Sequence, residues 1–113
     1  MRAAIDVLAL LPGMRILVLG DMGEVGDQAG QFHDEIGGYA KSMGLERLYA
    51  VGDYAAAVAH NFDGGGAHFG RVEDLIHALR PELGAGVTVL VKGSRFMRME
   101  RVVEAITEKN NAA

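Results

Sequence analysis

Two short segments of the 113-residue sequence gather side chains that could bind charged ligands. Gly20-Asp21-Met22-Gly23-Glu24-Val25-Gly26 sets two carboxylates among three glycines, and Lys92-Gly93-Ser94-Arg95 sets an ammonium, a hydroxyl and a guanidinium around one. Asp21 and Glu24 could ligand magnesium or accept hydrogen bonds from a substrate ammonium group, since hard cations take carboxylate oxygens. A solvated turn ending in a helix cap is the competing reading of that loop. Lys92, Ser94 and Arg95, with the exposed amides of a following helix N-terminus, suit a carboxylate or a phosphate. Here the plainer alternative is Ser94 as an N-cap. His33 could reach back to the glycine loop, or it could be a partly exposed helix residue.

Both segments fall short of the familiar nucleotide motifs. The glycines run G-x-x-G-x-x-G, and Met22 stands where a dinucleotide fingerprint needs glycine for close pyrophosphate approach. In the second segment lysine precedes glycine and no glycine stands five residues before Gly93, so there is no Walker phosphate loop. His60, His68 and His77 show no ligand spacing, and neither a zinc site nor a Ser/His/Asp set is supported.

The elements that position these segments follow from hydrophobic pattern. Ala4, Ile5, Leu8 and Leu11 recur at helical spacing and Pro12-Gly13 stops them, which predicts a helix over residues 1–11. Arg15 to Leu19 is a short apolar run with no alternation, as in a strand covered on both faces of a parallel sheet. Asp27 can cap a helix with Phe32, Ile36, Tyr39, Ala40 and Met43 on one face, ending at Gly44. The rhythm repeats with a strand over Arg47 to Val51, Gly52-Asp53 as turn and cap, and a helix from Tyr54 to Asn61. A weaker strand at Ala67 to Phe69 leads to a helix with Val72, Leu75, Ile76 and Leu79 inward, closed near Gly84 to Gly86. Val87 to Val91 is the strongest strand by propensity, and a last helix carries Met99, Val102, Val103 and Ile106 inward.

This alternation predicts a doubly wound α/β protein, a mostly parallel sheet with helices on both faces, in one domain spanning residues 1–113. In such sheets ligands bind beyond the carboxyl ends of the strands, where both chemistry-bearing segments fall. With 11 basic and 15 acidic residues, net charge −4, the chain has no general attraction for nucleic acid or anionic lipid. It has no cysteine, and its apolar stretches are too short to span a bilayer. No cleavage site follows Met1 to Leu11, and the protein reads as cytoplasmic.

The run Ile16 to Gly26 with His33 following, together with Val89 to Arg95 and Met99-Glu100, resembles the Mur ligase family, and the likeness extends over nearly the whole chain. It is similar to the C-terminal, Rossmann-like domain of the branch that joins D-alanyl-D-alanine to UDP-MurNAc-tripeptide in peptidoglycan synthesis. The resemblance implies that ATP, with Mg2+, phosphorylates the tripeptide carboxylate, and that the dipeptide amine then attacks the acyl phosphate. It implies that the central ATPase domain and the N-terminal UDP-sugar domain do the phosphoryl chemistry, so that this chain binds no cofactor tightly and is inactive alone. By the same resemblance Lys92, Ser94 and Arg95 contact the incoming amino substrate, and Asp21, Met22, Glu24 and His33 belong to a loop facing the active site. Phe96 departs from the smaller residue common at that place. Two other readings compete. One is a free-standing flavodoxin-like module that binds an anion or nucleotide without catalysis; the other is a folate polyglutamate ligase sharing the fold.

Overall fold

Ile16, Leu17, Val18 and Leu19 are wholly buried in succession, which a strand achieves only when both faces of its sheet are covered. In the computed structural model, which describes residues 2–21, 29–93 and 98–112, they form the centre of β1 (Met14–Gly20). β1 pairs in parallel with β2 (Arg47–Val51) on one side and with β4 (Val87–Lys92) on the other. β3 (Gly66–Phe69) pairs in parallel with β2, so the strand order is β3-β2-β1-β4. The described helices are α1 (Arg2–Ala9), α2 (Ala29–Ser42), α3 (Ala55–Phe62), α4 (Val72–Leu79) and α5 (Glu100–Ala112), with a 3-10 turn at Arg80–Glu82.

Successive strand residues face opposite layers. Leu17, Leu19, Leu48 and Ala50 pack against Ile5 and Leu8 of α1, Ile36 and Ala40 of α2, and Val58 and Phe62 of α3. Ile16, Val18, Tyr49 and Val51 pack against Leu75 and Leu79 of α4, Met99 just before α5 and Val102 of α5. The chain moves from β1 out to β3 through α2 and α3 on one face, then returns past β1 to β4 through α4 on the other. A reversal of direction coupled to a change of face is what a constant right-handed crossover demands.

α2 and α3 lie close because Gly37 has no side chain: a Cβ there would stand 2.2 Å from the Val58 carbonyl oxygen. Asn61 also donates from Nδ2 to the Asp34 carbonyl at 2.8 Å.

The α/β doubly wound expectation holds, and each predicted strand and helix is present with modest shifts of boundary. α1 ends its regular turns at Ala9, with Leu10 and Leu11 donating back to Val7 and Leu8 in a tighter turn. α4 closes at Leu79, earlier than Gly84, because Pro81 two residues later cannot continue the helix. Two expectations are corrected. Val103 does not face inward; it is 45% exposed, while its neighbour Val102 fills the core position. Asp53 does not cap α3, which begins at Ala55 after an uncapped Tyr54. α5 starts at Glu100, and Ser94, the alternative N-cap of the last helix, lies outside the described residues. Asp27, the expected cap of α2, lies outside the described residues.

The amino end of the sheet is closed by one guanidinium. Arg15 donates from Nε and Nη2 to the two carboxylate oxygens of Glu46 at 3.0 and 2.9 Å, from Nη1 to the Ala9 carbonyl at 2.6 Å, and from Nη2 to the Gly44 carbonyl at 2.7 Å. A cation is well placed there, because both carbonyls belong to the carboxyl ends of helices. The Arg15 side-chain hydrogen bonds hold the Glu46 carboxyl at about 2, well below its ordinary 4.5, against the opposing effect of burial.

Candidate functional site

The strand order places a topological switch point between β1 and β4, the neighbours from which the chain leaves toward opposite faces of the sheet. In an open α/β sheet this is where a crevice forms beyond the carboxyl ends of the strands. The loops that follow these two strands are the two segments singled out by residue type.

They meet at backbone level. Leu19 is the register partner of Lys92, and a Cβ built on Gly93 would stand 3.4 Å from the Gly20 Cα and 2.5 Å from Met99 Cγ. Glycine at 93 lets β4, β1 and the approach to α5 close on one another. Lys92 is exposed at the end of β4, and the register sets it beside the start of the Asp21 loop.

Asp21 is 7% exposed, and its Oδ1 accepts a hydrogen bond from the Ala55 amide at 2.8 Å. The carboxylate therefore satisfies one of the orphan N–H groups at the start of α3 and lies at the positive end of its dipole. A cap of this kind contributes about 0.5–2 kcal/mol. It supplies what Asp53 was expected to supply, from 34 residues away in sequence. Gly52 makes room for it: its φ is +113°, and a Cβ there would stand 2.5 Å from the Asp21 carboxylate carbon. The Gly52 carbonyl in turn lies 2.7 Å from His68 Nε2.

His33 is fully buried, which decides against a partly exposed helix residue. Its ring stacks on Tyr54 with centroids 5.5 Å apart and meets Phe32 edge-on at 5.4 Å. α2 thus presents His33 toward the carboxyl edge of the sheet, where Tyr54, half exposed at the head of α3, covers it. Sequence pattern did not single out Tyr54 or Gly52. A glycine before a helix was visible as a turn, but nothing local links either residue to Asp21 or His33.

The described structure brings Asp21, His33 and Lys92 to the carboxyl edge of the sheet. Met22, Glu24, Ser94 and Arg95 lie outside the described residues. Among the described residues no three His, Asp or Glu side chains gather to hold a metal ion, and no helix is long and apolar enough to cross a membrane.

Known proteins have similar sequences and the same fold. Residues 1–95 match the family described as Mur ligase, glutamate ligase domain. The UDP-N-acetylmuramoyl-tripeptide--D-alanyl-D-alanine ligase of Escherichia coli is 41% identical over 110 residues, 96% of this chain and 24% of that protein. The Bacillus subtilis enzyme of the same name is 32% identical over 96% of this chain and 25% of that protein. The crystal structure of the MurF ligase from Thermotoga maritima in complex with ADP superposes with a TM-score of 0.79 at 27% identity, over 97% of this chain and 26% of that one. A MurF structure from Acinetobacter baumannii gives 0.79 at 31% identity, over 96% and 24%. The chain thus spans about a quarter of the length of the relatives it matches. With its parallel sheet, its switch-point loops and a family match over most of its length, the chain belongs to the Mur ligase, glutamate ligase domain family.

Proposed function

We propose that residues 1–113 are one domain, the C-terminal acceptor-substrate domain of an ATP-dependent ligase that joins D-alanyl-D-alanine to UDP-MurNAc-tripeptide. What carries the reading is the meeting of the two loops at the switch point, in a chain whose relatives bear that enzyme's name. Lys92, Ser94 and Arg95 hold the dipeptide carboxylate through charge-assisted hydrogen bonds, leaving its amine to attack the activated tripeptide. Asp21, Met22, Glu24 and His33 form the facing wall: Asp21 fixes the loop to α3, and buried His33 fixes α2 beneath it.

The sequence holds no G-x-x-x-x-G-K-[ST] run, and the described residues gather no metal-binding cluster, so they do not fit ATP or Mg2+ as a resident site. In this proposal both belong to the central and N-terminal parts of the complete ligase, and the isolated chain is inactive. The enzyme works in the cytoplasm, without inserting into a membrane and without nucleic acid.

The free-standing anion-binding module is disfavoured because the likeness runs through the whole chain to enzymes four times its length. Steady-state kinetics of the complete ligase test the assignment. Arg95→Ala raises the KM for D-alanyl-D-alanine, or lowers kcat, by about tenfold or more, the worth of one charge-assisted bond. Unchanged kinetics would remove Arg95 and its loop from the substrate site.

A further inference from the structure

We propose that His68 is a positioning residue for the acceptor site, fixing from the edge strand the turn against which Asp21 is set. The inference rests on the proposed function, since it takes the Asp21 loop to face the acceptor substrate.

β3 and β4 are opposite edges of the described sheet, with two strands between them. At the usual spacing of strands that puts β3 about 14 Å from β4, too far for His68 to touch a dipeptide carboxylate held by Lys92. Any influence of His68 on that ligand is passed through the structure between them.

The path is short. His68 is the register partner of Ala50, which packs on the side of α2 and α3, so its side chain leaves β3 on the face where the head of α3 stands. The pairing of β2 with β3 ends at Val51 and Phe69, and Gly52 is the first residue past it. The His68 ring reaches that residue, with Nε2 2.7 Å from the Gly52 carbonyl oxygen. A carbonyl only accepts, so Nε2 is the donor, and it bears a hydrogen whether the ring is neutral or protonated.

The other side of Gly52 carries Asp21. A Cβ at position 52 would stand 2.5 Å from Oδ1 of that carboxylate and 2.8 Å from Oδ2. Oδ1 continues to the Ala55 amide, and between the two residues Tyr54 stacks on His33. The turn from Gly52 to Ala55 thus sets both Asp21 and His33. At φ +113° a glycine has little steric preference of its own, so the direction of its peptide plane is decided by what holds its carbonyl.

His68 is exposed, so water takes over the carbonyl when the ring is removed. Its loss frees the turn while costing the fold little.

Steady-state kinetics of the complete ligase test this. His68→Ala should raise the KM for D-alanyl-D-alanine about three- to tenfold, the range one neutral hydrogen bond supplies, with kcat within about twofold. Tm should stay within about 3 °C. His68→Gln, whose Nε2 can stand where the ring Nε2 does, should bring KM back to within about twofold of the original. His68→Asn, whose amide stands where Nδ1 does, should behave as His68→Ala. An unchanged KM for His68→Ala overturns the proposal, and so does a glutamine variant no better than the asparagine one. Lys92→Met, measured alongside, separates the two levels. If it leaves KM unchanged, the reading of the acceptor site fails and the role of His68 with it; if it raises KM while His68→Ala does not, only the role of His68 is lost.

Discussion

At the amino end of the sheet Arg15 joins α1, the end of α2 and β2 through an ion pair and two carbonyls; at the carboxyl end Asp21 joins the loop after β1 to the head of α3. Each charge sits where helix dipoles favour it, cation at carboxyl ends and anion at an amino end. The surroundings differ. Glu46 is more than a third exposed, so water screens the pair, whereas Asp21 is buried and His33 behind it is fully so. The amino end is a clasp whose bonds all go to the fold. The carboxyl end invests buried polar groups in holding a loop, and leaves Lys92 exposed beside it.

Gly52 should be the most sensitive point. Gly52→Ala forces a side chain into a left-handed backbone and onto the Asp21 carboxylate, costing about 3 kcal/mol from strain and overpacking together. In thermal unfolding that lowers Tm by more than about 10 °C; a change under about 2 °C would mean the loop is not held as described.

Asp21→Ala comes next, at about 1–2 kcal/mol for the lost cap. In that background Gly52→Ala should cost at least about 1 kcal/mol less than alone, because the clashing partner is gone. Additive effects in the double-mutant cycle would break the link between the two residues.

The amino end should respond least and mainly to acid. Because the Glu46 carboxyl is held at about 2 against an ordinary 4.5, its stabilisation is complete above 4.5 and is lost as pH falls from there toward 2. Glu46→Gln removes about 1 kcal/mol at neutral pH, the effect being small because the pair is partly exposed. The variant should also flatten the acid limb of the stability curve. An unchanged limb would show that Arg15 does not hold this carboxylate.

Sequence pattern revealed whatever depends on local periodicity. The unalternating run from Ile16 to Leu19 announced a strand covered on both faces, and the β-branched residues of Val87 to Val91 announced a further strand, which is only partly buried. Rules for ligand sites in doubly wound sheets then singled out both loops. Strand order was not legible, since it depends on which face each helix packs against. The capping of α3 by Asp21 was hidden for a similar reason, since cap rules look one to three residues away. His33 lies one place off the stripe of Phe32 and Ile36, and its burial depends on Tyr54 from another helix. Val103 was misjudged in the opposite sense: Met99 just before α5 and Val102 within it cover the sheet, and Val103 beside them stays exposed.

The central claim is that the carboxyl end binds the acceptor substrate and the amino end does not. It is tested most directly by comparing the D-alanyl-D-alanine KM of Lys92→Met and Glu46→Gln in the complete ligase. The account predicts a rise of about ten- to a hundredfold for Lys92→Met, equivalent to one charge-assisted bond, with its Tm unchanged. Glu46→Gln should leave KM within about twofold, an energy difference of only a few tenths of a kcal/mol. Equal KM values for the two variants, or a rise for Glu46→Gln alone, would contradict it.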